Sequence, residues 1–150
     1  MIDQRKADCL YEMAREMASQ TPEIGSKLAG NCVTVHFGML GTARQFFGQT
    51  VEFVIGHIEM GGEERFHFTE KEVADWRSGA MKPRYNLHAW LAVGADLIDL
   101  TLAPTIHEIE PNLLQPHLTY IDCEIAAEHG IVYVQRLKGD NVPLELGLLR

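Results

Sequence analysis

The chain has 150 residues, of which 46% are hydrophobic and 23% charged, and its formal net charge is −8. A chain of this length buries roughly 68–70% of its unfolded surface, enough for one core without disulfide or metal staples, so we expect a single domain over residues 1–150. The acidic balance argues against a nucleic-acid partner and against an anionic membrane surface, because both require clustered lysine and arginine.

The first part of the chain predicts helices. Apolar residues at helical spacing predict a helix over residues 3–19, and the Thr21-Pro22 pair ends it. A second helix is predicted over residues 32–47, with Asn31 as its N-cap. Apolar residues lie nearly all round this second helix, as in a buried central helix.

The remainder predicts mainly strands. A short helix is expected from Thr69 to Arg77, where Glu72 completes a capping box. The predicted strands cover residues 51–56, 64–69, 86–93, 96–101, 117–124 and 131–137. Helices followed by an antiparallel sheet indicate the α+β fold class.

The strands 86–93 and 96–101 form the most informative segment. Gly94-Ala95 suits a two-residue type II′ turn, which pairs Leu91 with Ile98. In that register His88 and Asp99 are diagonal neighbours on one face, and their side chains can meet. A carboxylate on one ring nitrogen leaves the other nitrogen available as a base. The alternative is that His88 and Asp99 lie on the protein surface and are exposed to solvent.

The three cysteines, Cys9, Cys32 and Cys123, fit neither a disulfide framework nor a paired zinc motif. Cys32 opens the predicted second helix, where the positive potential of a helix N-terminus favours the reactive thiolate. The alternative is a small buried hydrophobe, which is what we expect of Cys9 and Cys123. His36 lies one turn after Cys32 and is a second candidate base, but no carboxylate is predicted beside it.

The sequence lacks the signals of several other classes. It has no apolar segment typical of a secretory signal or a membrane span, so we expect a cytoplasmic protein. The remaining histidines match no zinc motif, and neither a phosphate loop nor a dinucleotide motif occurs. We therefore expect no metal and no cofactor.

A cysteine that opens a central helix, then His88-Ala89-Trp90 on a strand and Ile98-Asp99-Leu100-Thr101 on the next, resembles the transglutaminase-like superfamily of papain-type cysteine enzymes. The resemblance covers approximately residues 28–103. It implies a papain-like fold, with Cys32 as nucleophile, His88 as general base and acid, and Asp99 as the orienting carboxylate. Trp90 would flank the site. Many members have proline where this chain has Leu100, and a tryptophan near the cysteine.

The resemblance further implies acyl transfer on an amide through a Cys32 thioester, which ends in hydrolysis, deamidation or transamidation. The backbone N–H of Cys32 is the expected oxyanion donor, and Asn31 and Gln20 are candidate side-chain donors. The substrate would be a protein, a peptide or a small amide. Two alternatives stay open, a non-catalytic module that binds a peptide or protein in the same groove and a small-molecule acyltransferase with the same triad.

Overall fold

The computed structural model describes residues 2–83, 86–114 and 118–148. Its helices are α1 (Gln4–Ser19), α2 (Cys32–Phe47), α3 (Glu70–Ser78), α4 (Leu102–Ile109), α5 (Cys123–Glu128) and α6 (Val142–Glu145), with a 3-10 turn at Pro22–Ile24. Its strands are β1 (Val51–Met60), β2 (Glu63–Arg65), β3 (His88–Val93), β4 (Asp96–Ile98) and β5 (Ile131–Lys138). The fold is α+β, with helices packed on a curled antiparallel sheet.

The long strand β1 organises the sheet. β5 pairs with most of its length, from Val54 to Met60. The other edge of β1 is shared, because β3 pairs up to Gly56 and β2 pairs from Ile58 onward. The start of β3 and the end of β2 therefore meet beside the middle of β1, and His57 lies between the two paired stretches.

The predicted hairpin register is confirmed. Leu91 pairs with Ile98 and Val93 with Asp96, and Gly94 has the positive φ of 60° that a type II′ turn requires at this position. β4 ends earlier than predicted. The reason is that the Asp99 carboxylate accepts the backbone N–H groups of Thr101 and Leu102, which turns the chain into α4.

Helices α1, α2 and α3 are confirmed, including the reciprocal capping box of Thr69 and Glu72. The predicted strand 117–124 is wrong over its described residues, 118–124. Ile121 makes only an isolated bridge to Asp99, and the Asp122 side chain then accepts the N–H of Ile125 and starts α5. His117 lies outside the described residues. Helix α4 was not predicted, and β2 is only part of the strand predicted over 64–69.

Both faces of the β3–β4 hairpin are buried. The apolar face that the sequence predicts, with Leu91 and Leu100, packs in one core with α1 and α2. A second cluster joins α4 and the segment around Ile121 to the far end of β1. The opposite face of the hairpin carries His88, Trp90 and Asp99 and is buried. Phe66 and Tyr133 pack on its rings, and Trp90 belongs to a separate cluster with Val54 and Leu97. Among the described residues, no helix combines the length and hydrophobicity needed to cross a bilayer.

Gly56 permits a close approach that no other residue type allows. β1 has an irregularity between Ile55 and Gly56, and a Cβ on Gly56 would overlap the carbonyl oxygen of Val134 and lie 2.7 Å from the Trp90 ring. We expect Gly56→Ala to lower the free energy of unfolding by about 3 kcal/mol, because overpacking forces the backbone apart. Urea unfolding measures this.

Gly41→Ala is the matched control. A Cβ on Gly41 would meet no atom within 4 Å, and Gly41 lies inside α2 on its exposed side. Alanine there should raise the free energy of unfolding by up to about 1 kcal/mol through helix propensity. Equal effects of the two substitutions would contradict the close approach at Gly56.

Candidate active site

The N-terminus of α2 presents free backbone donors to a cleft. Cys32 is the first residue of the helix and is half-buried. The first N–H groups of a helix have no partner within it, and within the described residues no acceptor bonds the N–H groups of Cys32, Val33 or Thr34. All three residues line the cleft. These donors can stabilise negative charge that develops beside the Cys32 thiol.

Neither of the two side chains predicted as oxyanion donors is placed to act as one. Asn31 occupies the N-cap position and lines the cleft, but its amide nitrogen lies within hydrogen-bond distance of three carbonyl oxygens in the preceding loop, those of Ile24, Lys27 and Ala29. Its amide hydrogens are therefore engaged. Gln20 is the exposed C-cap of α1 and does not line the cleft. The backbone at the start of α2 remains as the donor group.

His88 and Asp99 meet as the register predicts. The distance from His88 Nε2 to Asp99 Oδ2 is 2.6 Å, and the two residues are 2% and 0% exposed. The alternative of a solvated surface pair is therefore wrong. Because Nε2 faces Asp99, the other ring nitrogen, Nδ1, is available to a reacting group.

Asp99 makes hydrogen bonds with both carboxylate oxygens. Oδ1 accepts the backbone N–H groups of Thr101 and Leu102, each at 3.0 Å. Oδ2 accepts the Tyr133 hydroxyl at 2.7 Å in addition to its bond with His88. Sequence reasoning missed Tyr133, because it lies on β5 and no local pattern relates it to the hairpin. These bonds fix the orientation of the carboxylate.

The protonation states of the pair follow from its charges. Burial lowers the pKa of His88, but the charge and hydrogen bond of Asp99 and a hydrogen bond with the Cys32 thiol outweigh it and raise the pKa to about 10. Burial raises the pKa of Asp99, but the charge of His88 and the hydrogen bonds hold it below its usual range. At neutral pH the pair is an imidazolium and a carboxylate, with Cys32 beside the ring.

Both ring nitrogens of His36 are engaged within the fold, so neither is free to act as a base. Its Nδ1 lies 2.8 Å from the carbonyl oxygen of Cys32, and its Nε2 accepts the N–H of Leu100 at 2.9 Å. The proton therefore sits on Nδ1, and both nitrogens are occupied. Burial lowers the pKa of His36 to about 4, so the ring is neutral at pH 7. It ties the first turn of α2 to the chain between β4 and α4.

Two aromatic rings lie nearly parallel to the His88 imidazole. The centroid distances are 5.3 Å to Phe66 and 6.0 Å to Trp90. Trp90 is buried against the pair and does not line the cleft, whereas Phe66 does. Phe66 has a φ of 62°, a left-handed conformation that is strained for a bulky residue. The His88 ring is thus held between elements that leave little room for it to rotate.

The cleft beside Cys32 has a volume of about 790 Å³. Its polar wall includes Glu108, which is paired with Lys27 at 2.9 Å. Its lining residues are Gly30, Asn31, Cys32, Val33, Thr34, Phe66, Pro83, Leu87, His88, Thr105, Glu108, Ile109 and Leu148. Most of this surface is apolar, so the cleft accommodates an apolar or amphipathic group next to the thiol.

We expected the other two cysteines to be buried in the core, and this expectation is wrong. Cys9 is exposed on α1, and Cys123 is exposed because it begins a helix instead of continuing a strand. Partial burial, followed by a hydrogen bond with Asp96, raises the pKa of the Cys123 thiol to about 11. Cys123 is therefore accessible but largely protonated at neutral pH.

The position of Cys32 and His88 in one cleft has a spectroscopic consequence. Because the thiol is one of the groups that raise the pKa of His88, Cys32→Ala should lower that pKa, whereas Cys9→Ala should leave it unchanged. Titration of the His88 ring signals by NMR measures both. In the wild type those signals should not change between about pH 5 and 8. An ordinary titration near pH 6.5 would contradict the buried ion pair.

Comparison with known proteins gave no match to this chain among family models, curated proteins or solved structures.

Proposed function

We propose that the protein is a cysteine-dependent enzyme that transfers the acyl group of an amide through a thioester on Cys32. The observation that carries this proposal is the buried His88–Asp99 pair, which lies with Cys32 at the wall of an open cleft. Buried charges are costly and seldom retained for stability alone. A strongly perturbed pair in a cleft is typical of functional sites.

The proposed reaction has two steps. The Cys32 sulfur attacks the amide carbonyl, and its proton resides on His88. The N–H groups at the start of α2 bind the oxyanion of the tetrahedral intermediate. His88 then gives the proton to the departing nitrogen, the C–N bond breaks, and an amine and a Cys32 thioester result. In the second step water or an amine loses a proton to His88 and attacks the thioester, which releases the thiol.

The order of the elements supports a papain-like architecture for this site. The nucleophile begins a helix that packs under the sheet, the histidine begins β3, and the carboxylate follows β4. This arrangement agrees with the resemblance to transglutaminase-like enzymes. The volume of the cleft also lies within the range of small-molecule sites, which favours a small-molecule acyltransferase as the second candidate.

Competitive alkylation tests whether Cys32 is activated. We expect iodoacetamide at pH 7 to label Cys32 before Cys9 and Cys123, as read by peptide mass spectrometry of the wild-type chain. Exposure alone predicts the opposite order, because Cys32 is the half-buried thiol of the three. The two exposed thiols are thus internal controls. Labelling that follows exposure, with Cys32 last, would contradict the enzyme proposal and favour a binding module.

A further inference from the structure

A second cluster of potential ligands lies where β2 ends. His57 is the residue of β1 between the part paired with β3 and the part paired with β2. The chain beyond β2 passes this position and brings His67 to it, with ring centroids 4.9 Å apart. Glu64, on β2, lies 3.7 Å from the Nε2 of His67. One potential ligand atom from each of the three residues lies within 4.8 Å of the other two.

His57 carries an independent sign of a missing partner. The residue is only 6% exposed, and its Nδ1 is buried without a hydrogen bond to any described residue. Buried ring nitrogens in native proteins are nearly always bonded. Coordination through Nδ1 would supply the partner that this nitrogen lacks.

We propose that His57, Glu64 and His67 bind a divalent transition-metal ion, with zinc as the best fit. Two imidazoles and one carboxylate suit zinc, and they leave a fourth position for water. In a tetrahedral site the ligand atoms are roughly 3.4 Å apart, as bonds of about 2.1 Å require. The exposed Glu64 and His67 have the freedom to close that distance around the fixed ring of His57.

The surrounding charges permit a cation. Glu59 and Glu64 act on His57 with negative charge, and Arg136 acts with positive charge. The Arg136 guanidinium is already engaged by the Glu70 carboxylate at 2.8 Å and by a backbone carbonyl. The carboxylates of Glu59 and Glu64 would therefore offset part of the charge of a divalent ion bound at His57.

Zinc would also fix a residue of the neighbouring cleft. Phe66 lies between the ligands Glu64 and His67 in the chain, and its ring stacks on His88. Its strained backbone needs support from the residues around it. The metal clamps both sides of Phe66 and supplies that support. The spacing of the ligands matches no helical zinc motif, so the sequence did not predict the site.

Calorimetric titration of the full chain with zinc sulfate tests the proposal, with Co²⁺ absorption as a reporter of coordination. We expect one equivalent to bind, and a loss of at least tenfold in affinity for both His67→Ala and Glu64→Gln. Both residues are exposed, so the variants should fold. His107→Ala, which removes an exposed histidine outside the cluster, is the matched control and should bind as the wild type does.

The same titration with Cys32→Ala separates this site from the proposed catalytic one. Zinc binding that survives Cys32→Ala and is lost in His67→Ala supports the proposal, whether or not the protein transfers acyl groups. Binding that is lost with Cys32→Ala but retained in His67→Ala would place the ion at the thiol and overturn the proposal. Absence of binding up to millimolar zinc would overturn it as well.

Discussion

We expect the replacement of Cys32 by alanine to abolish the proposed acyl transfer and to leave the fold intact. The Cys32 thiol lines the cleft together with His88. Cys32 is only half-buried and packs at the margin of the core, so removing its sulfur atom should cost little stability. Removal of the nucleophile from a catalytic triad costs on the order of 10⁶ in rate. The measurement uses p-nitrophenyl acetate, an activated ester that acylates thiols, and follows both nitrophenol release and the acetyl mass on the intact protein.

The controls are Cys9→Ala and Cys123→Ala, which should retain the full rate of acylation. Both thiols are exposed, so chemistry that depended only on access would favour them. Circular dichroism and urea unfolding check that each variant is folded. An acetyl group found on the Cys9 or Cys123 peptide, with none on Cys32, would reject Cys32 as the nucleophile.

The contacts that the sequence predicted are local. Gly94-Ala95 determines the turn, and the alternation of apolar residues determines which side chains share a face. Together they make His88 and Asp99 diagonal neighbours on one face, where the structure shows their side chains hydrogen-bonded. The start of α2 at Cys32 follows in the same way from the apolar pattern and the residues just before it.

The environment of the pair depends on contacts between distant segments. Phe66 and Tyr133 pack on His88, on a face that the hairpin alone would leave in water, and Ile121 bridges to Asp99. Tyr133 reaches Asp99 because β5 pairs with β1, a register that no short motif encodes. The loop before α2 likewise uses the Asn31 side chain for its own carbonyls, so that residue is unavailable as an oxyanion donor.

Replacing Asp99 by asparagine should reduce the rate of acylation by on the order of 10⁴, the loss seen when a triad histidine is held in the wrong tautomer. The asparagine oxygen can still accept the N–H groups of Thr101 and Leu102, so the start of α4 persists. Its amide then faces His88 and donates to Nε2. The proton of the neutral ring moves to Nδ1, and no lone pair is left for the Cys32 thiol.

Tyr133→Phe is the matched control for Asp99→Asn, because it removes one hydrogen bond from Asp99 but keeps the charge. We expect Tyr133→Phe to cost about 1.5–3 kcal/mol of stability and to retain most of the acylation rate.

The pKa of His88 should fall in Asp99→Asn, since the charge of Asp99 is the largest of the causes that raise it. NMR titration of the ring and acylation kinetics on the same samples measure both effects. Full activity in Asp99→Asn would exclude the proposed triad even if Cys32 proved essential, because the orientation and charge of His88 would then not depend on the carboxylate.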